Sequence, residues 1–334
     1  MDARMLGATG TRVFPLGLGC MGMSWGYAES TRDDAESIRV IHQAIDAGVE
    51  LIDTARVYGD GHNERLIGTA IRGRRDGVVI ASKGGLAVDL ANRQMRRDGR
   101  PEALRRQVEE GLTHLGVERI DLYYLHRVDP AVPLAESWGA LAGLVTEGKI
   151  GALGLSEVTI DQAEEAHAIH SVSAIQSELS LWTRDPIGGG DPADDGFAGG
   201  GASAGGNLLR WTQEHGVAFV PFAPLGRGYL TGTLDATTFE SSDFRAANPR
   251  FTAEAFARNQ AISDTVARIA AAHGATSAQV SLAWLLDLGP HIIPIPGTRS
   301  SRHLRDNLGA LDLHLNSEER QTLDALPAPI GNRY

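Results

Sequence analysis

A repeated alternation constrains this chain more than any other feature. Short apolar runs rich in β-branched residues recur along it: "LGLGC" (16–20), "GVELID" (48–53), "GVVIASK" (77–83), "RIDLYYLH" (119–126), "KIGALGLS" (149–156), "SVSAIQ" (171–176), "GVAFVPFAP" (216–224) and "HIIPIPG" (291–297). Between them lie longer segments, such as "RDDAESIRVIHQAIDAG", "RPEALRRQVEEGLTHLG" and "NQAISDTVARIAAAHG", whose apolar residues fall three and four apart. A strand, an amphipathic helix and a further strand make a parallel crossover unit. Eight such units in 334 residues predict an α/β fold, a (β/α)8 TIM barrel, rather than an open doubly wound sheet. "RMLGATGTRVF" (4–14) reads as an N-terminal β-hairpin plugging the barrel bottom, and "TIDQ" (159–162) as a capped helix start.

The open sheet would need a glycine fingerprint. "GLGCMG" matches G-x-G-x-x-G at Gly17, Gly19 and Gly22, but no amphipathic helix opens at the third glycine, and no acid-ended second strand follows about 20 residues on. One stretch breaks the alternation: "PIGGGDPADDGFAGGGASAGG" (186–206) has almost nothing to bury. It reads as a flexible surface-loop insertion in a single domain spanning 1–334; a lid and an inert insertion are both open, and composition favours the second.

The formal charge of −11 repels nucleic acid and anionic lipid over most of the surface, so an anionic ligand needs a local cationic cluster. No apolar run approaches the roughly 18 residues of a membrane span, and the first residues lack a basic region followed by an apolar core. A cytoplasmic protein is expected. The single cysteine, Cys20, excludes an intramolecular disulfide and a thiolate zinc cage; it reads as a small buried apolar side chain, and no metal site is expected. The sequence sets no oligomeric state.

In such barrels chemistry sits at the carboxyl ends of the strands. Here the strands end on Cys20 and Met21, Asp53, Lys83, His126, Ser156 with Glu157, Gln176, Phe222, and a "PGTR" loop at 296–299. Each has a dull explanation alone: a turn former, a solvated charge, a satisfied core histidine. Their convergence on one rim does not. A phenol with an ordinary pKa near 10 is a poor acid at neutral pH, but an adjacent ammonium favours phenolate, and a carboxylate fixes that ammonium. Tyr58, Lys83 and Asp53 supply this set, and His126 is suited to orient a carbonyl oxygen.

With these residues in place, "IDTARVYGDGHNE", "ASKGG", "IDLYYLHR", "IGALGLSE", "SELSLWTRD", "FAPLGRGYLTG" and "IPGTRSSRHLRDN" together resemble the successive motifs of the aldo-keto reductases, in the branch with Ser-Glu rather than Ser-Asn after the fifth strand. The resemblance runs from "RMLGATGTRVFPLGLGCMGMS" to "GNRY". It implies Tyr58 as general acid, Lys83 tuning it, Asp53 pairing with Lys83, and His126 orienting a small-molecule carbonyl substrate. It also implies NADPH. Gly22, Met23, Ser156, Glu157 and Gln176 match positions near the nicotinamide, Phe222 the aromatic that stacks on its ring, and Pro224, Leu225, Gly226 and Arg227 the loop over the pyrophosphate. Gly297, Thr298 and Arg299 lead into a helix start that suits a phosphate, with His303, Asp306 and Asn307 on the helix itself; Arg299 favours NADPH over NADH. A carboxylate at Glu157 cannot donate as an amide would. Trp25, Tyr27, Arg127 and Trp182 are candidates for the substrate mouth, or pack loops together. The resemblance fits a carbonyl reductase best; a reductase of nucleotide-linked sugars and a nucleotide-sensing subunit with little turnover are the alternatives. A sugar-phosphate barrel enzyme without nicotinamide would not need the Tyr–Lys–Asp set.

Overall fold

A parallel strand shows alternate side chains to opposite faces, so in a barrel every second residue points inward. The computed structural model describes residues 2–89, 94–188 and 207–333. In chain order its strands are β1 (Arg4–Met5), β2 (Arg12–Val13), β3 (Leu18–Gly19), β4 (Leu51–Asp53), β5 (Val79–Gly84), β6 (Leu86–Asp89), β7 (Gln94–Arg97), β8 (Ile120–Leu125), β9 (Ile150–Ser156), β10 (Val172–Glu178) and β11 (Ala218–Phe222). The helices are α1 (Asp34–Asp46), α2 (His62–Ala70), α3 (Pro101–Leu115), α4 (Leu134–Thr146), α5 (Ile160–Ile169), α6 (Leu208–Glu214), α7 (Ala253–Arg258), α8 (Gln260–Ala272), α9 (Ser277–Asp287), α10 (Ser301–Leu308) and α11 (Ser317–Asp324).

β3, β4, β5, β8, β9, β10 and β11 form one parallel sheet in that order. The eighth run, 291–297, closes it. Ile293 and Ile295 donate their N–H to Phe219 and Pro221 (2.8 and 3.0 Å), while Gly17 and Gly19 donate to the carbonyls of Pro294 and Pro296 (2.9 and 3.3 Å). Pro294 and Pro296 lack the N–H that would complete the ladder toward β3, and Pro221 of β11 lacks the one that would complete it on the other side, so this run makes isolated bridges, Phe219↔Ile292 and Gly19↔Gly297, instead of a regular strand. The result is the (β/α)8 barrel. A Cβ on Gly17 would stand 2.9 Å from Ile295, and one on Gly19 2.8 Å from the Ile295 carbonyl oxygen. The glycine pattern at 17–22 therefore serves barrel closure, not a dinucleotide fingerprint.

β1 and β2 form the expected hairpin. Leu6 and Val13 join Leu51, Ala81, Leu122, Tyr124, Ala152, Ala174, Ala218, Val220, Ile293 and Ile295 in the barrel interior. Arg4 anchors the hairpin by donating to the Leu286 and Gly289 carbonyls, each at 2.9 Å. A second, larger core lies between strands and helices, and Cys20 is fully buried in it. At α5, Thr159 and Gln162 make the reciprocal cap.

Two features lack a sequence signal. The β6–β7 hairpin pairs a short apolar strand, of which only Leu86 is buried, with a polar and mostly exposed one. α9 is buried on nearly every side, so it has no amphipathic period. Of the glycine-rich stretch, Pro186–Gly188 continue the turn Asp185–Ile187, and 189–206 lie outside the described residues. No helix among the described residues is long and apolar enough to cross a membrane.

Candidate active site

Strand parity assembles the site. Leu51, Ala81, Tyr124, Ala174 and Val220 fill the barrel interior, and the residues two places further along the same strands are Asp53, Lys83, His126, Gln176 and Phe222. On four of these strands the inward face is apolar until its last position and then polar at the carboxyl rim; β11 ends instead on the Phe222 ring. On β9, Ser156 occupies the equivalent place beyond Gly154, where a Cβ would lie 2.5 Å from the Tyr124 ring.

Lys83 is 1 % exposed and Asp53 3 %. Lys83 Nζ donates to Asp53 Oδ1 at 2.5 Å and to the Thr54 carbonyl at 2.7 Å, and Gln176 Nε2 donates to Asp53 Oδ2 at 2.8 Å. Burial pushes the carboxyl up and the ammonium down, and their pairing opposes both shifts. Tyr58 reaches them from the turn after β4. That turn is fixed by the Thr54 hydroxyl donating to Asn63 Oδ1 (2.6 Å) and by Arg56 bridging Asp60 (2.6 Å) and Glu110 (2.8 Å). Lys83 Nζ lies 5.4 Å from the centre of the Tyr58 ring, and the His126 ring stands edge-on to it, centroids 5.9 Å apart. All four residues meet. Leu86 of the unforeseen hairpin packs beside Tyr58, with Met21, Trp25 and Val88 around it.

Burial, then the cations Arg127 and Lys83, hold His126 well below the ordinary histidine range, so it is neutral at physiological pH. Its Nδ1 is buried without a hydrogen-bond partner among the described residues. An unfolded histidine binds a proton below about pH 6.5 while the folded one does not, so stability falls as pH drops through and below that value. His126→Asn should flatten this slope by up to about 1.4 kcal/mol per pH unit. Urea midpoints between pH 5 and 7.5 check it, and identical slopes for the two proteins would refute it.

The four substrate-mouth candidates separate. Trp25 and Tyr27 are partly exposed at the rim. Trp182 is not: it is 1 % exposed, stacked on Tyr229 at 4.3 Å under the Arg250 guanidinium, because the loop after β10 buries its apolar face in the outer core. Arg127 is also buried, donating to the His126 carbonyl (2.7 Å) and to Ser156 Oγ (3.2 Å). It braces the rim between His126 and Ser156.

The residues matched to a cofactor fall along one side of the same rim. Ser156 and Gln176 are buried there, Phe222 and Gly22 are half-buried, and Met23 is turned into the core, which leaves its backbone for any contact. Glu157 differs from expectation: Oε1 accepts from the Glu178 N–H at 2.8 Å and Oε2 pairs with Arg333. Arg227 likewise donates to Glu178 (2.8 Å) and to the Arg333 carbonyl (3.0 Å). Both side chains are engaged in a buried ion network, because a carboxylate without access to water needs cationic partners. Pro224, Leu225 and Gly226 lead into the turn at Arg227.

At the far end, Gly297, Thr298 and Arg299 run into α10, which Ser300 caps by accepting from the His303 N–H. Arg299 is held by the Ala28 carbonyl (3.3 Å) and the Thr31 hydroxyl (3.2 Å). Burial first, then Arg32 and Arg245, lower its pKa, which places three guanidiniums at one corner. Glu240 and Asp243 oppose that shift, Arg245 is paired with Asp243 (2.7 Å) and Arg32 with Glu29 (3.5 Å), so the guanidiniums sit among carboxylates; of the three, sequence reasoning found only Arg299. Arg32 and Arg245 lie in loops with no motif spacing to mark them. His303 is exposed beside Arg302, Asp306 is half-exposed, and Asn307 is buried. The Arg299 guanidinium beside the helix-start N–H groups of α10 fits a phosphorylated cofactor.

Comparison with known proteins agrees with this geometry. The model of the Aldo/keto reductase family matches residues 15–328. A probable aldo-keto reductase 1 of Glycine max is 38% identical over 333 residues, covering 98% of this chain and 90% of that relative. The glycerol dehydrogenase of Gluconobacter oxydans superposes with a TM-score of 0.82 at 29% identity, over 99% of this chain and 98% of its own. An aldo-keto reductase of Klebsiella pneumoniae, crystallised in complex with NADPH, gives 0.71 at 27% identity over 99% and 97%. This chain belongs to the aldo/keto reductase family.

Proposed function

We propose that the protein reduces an aldehyde or ketone with NADPH, Tyr58 protonating the carbonyl oxygen. One observation carries the reading: Tyr58, Lys83, Asp53 and His126 meet at the same barrel rim. The NADPH complex of the Klebsiella pneumoniae relative supports the cofactor. Bound NADPH supplies the hydride; the remaining work belongs to the chain. Lys83, fixed by Asp53 and Thr54, places positive charge beside the phenol and stabilises the phenolate left by proton transfer. Neutral His126 hydrogen-bonds the carbonyl oxygen as charge develops on it, and does not compete with Tyr58 as the acid. Ser156 Oγ accepts from Arg127 and Gln176 gives its amide N–H to Asp53; the Ser156 hydroxyl proton and the Gln176 amide oxygen would hold the carboxamide of a bound nicotinamide. A small-molecule substrate and a cytoplasmic setting go with this reading.

A panel of aldehydes and ketones monitored at the NADPH absorbance, with Tyr58→Phe as the blank, tests it. Tight NADPH binding without turnover of any carbonyl would favour a nucleotide-sensing role instead. Arg299→Ala should weaken NADPH by roughly 10–100-fold and NADH by no more than about twofold, since a charge-assisted bond to the 2′-phosphate exists only for the first. Equal losses in paired fluorescence titrations would remove Arg299 from that role.

A further inference from the structure

Carbonyl reduction leaves unused an ion network buried beside the proposed cofactor cleft, in which Glu157, Glu178 and Asp185 face Arg227, Arg250 and Arg333. Arg333 is at its centre. Its guanidinium pairs with Glu157 and lies 3.6 Å from Glu178 and 3.8 Å from Asp185. Its carbonyl oxygen accepts from Arg227 at 3.0 Å and from Asn248 at 2.7 Å. The backbone leading to it is itself fastened, with Ile330 and Asn259 exchanging two hydrogen bonds and Arg250 donating to the Gly331 carbonyl.

The two residues that Arg333 grips share a backbone peculiarity. Glu157 (φ 53°) and Arg227 (φ 56°) are both left-handed, a conformation that a side-chain-bearing residue keeps only where its surroundings over-determine it. Glu157 directly follows Ser156 at the nicotinamide end, and Arg227 turns the loop matched to the pyrophosphate. We infer that Arg333 is a positioning residue for the cofactor: its side chain holds the turn that presents Ser156, its carbonyl holds the turn at Arg227, and one residue thereby preforms both ends of the cleft. The inference rests on the NADPH reading. A site preformed before binding has less ordering to do when its ligand arrives, so losing Arg333 weakens NADPH while leaving Tyr58, Lys83 and Asp53, which it does not touch, in place.

The test uses the full chain and four variants. Arg333→Met should raise the NADPH dissociation constant and KM by about tenfold, with kcat and the carbonyl KM within about twofold. Arg333→Lys, which keeps the charge, should recover part of the loss. Glu157→Gln with Arg333→Met removes both charges of the pair and guards against a variant that simply fails to fold; it should fold and still bind weakly. Arg184→Met removes a guanidinium that fastens the Leu323, Asp324 and Leu326 carbonyls outside the network, and should leave binding unchanged. Hydrogen exchange at 156–158 and 225–228 should rise in Arg333→Met and not in Arg184→Met. Wild-type affinity in Arg333→Met or in the folded double variant, or unchanged exchange at both turns, overturns the role of Arg333. A wild-type protein that does not bind NADPH overturns the cofactor reading beneath it.

Discussion

Tyr58→Phe should lower kcat for carbonyl reduction by about 10³-fold or more while the NADPH dissociation constant stays within about twofold. The phenol is the acid in the proposed mechanism and has a cation beside it: Lys83 Nζ is 5.4 Å from the ring centre, and His126 is held neutral by burial and by two neighbouring cations. Removing one oxygen leaves the ring among Ala55, Val57 and Leu86, so the fold should be unaffected. Loss of rate without loss of binding identifies an interaction made at the transition state. A Phe variant that turns over at the wild-type rate would transfer the proton donation elsewhere and dismantle the mechanism.

The second large effect concerns the ion pair below that phenol. Asp53→Ala leaves the Lys83 ammonium, 1 % exposed, with the Thr54 carbonyl but without its counter-charge. Lys83→Met leaves the Asp53 carboxylate with only the amide of Gln176. Each should cost about 3–5 kcal/mol of stability, the usual consequence of stranding a buried charge. Asp53→Leu combined with Lys83→Met removes both charges and should recover most of that loss, because a well-packed apolar pair avoids the desolvation penalty. Activity should not recover, since the cation beside Tyr58 is gone. Urea unfolding and kcat/KM on the four proteins check both halves. Single variants as stable as wild type would mean that the pair is solvated, and a double variant that regains turnover would mean that Lys83 serves packing alone.

How far the site was legible follows from which signals are local. Asp53, Lys83, His126, Ser156 and Gln176 each end an apolar strand of period two, so parity and strand order place them on one inward rim before any coordinate is known. Tyr58 was legible through its spacing from Asp53. Residues whose role depends on distant segments were not. The positions of Glu157 and Arg227 were read from the sequence, but not that their side chains pair with Arg333 and Glu178, far away in the chain. Trp182 was left between mouth and loop packing and is buried in the core, because nothing in its neighbours tells which side of the loop is dry. Arg32 and Arg245 converge on Arg299 only after three loops fold together.

The sequence alone determined the barrel, its plugging hairpin and which polar side chains end its strands, since strand alternation and helix period are written within a few residues of each point. Tertiary structure decided the ionic state and duty of each charged side chain. That choice depends on desolvation and on partners brought within a few ångströms from remote segments, and no local pattern encodes either quantity.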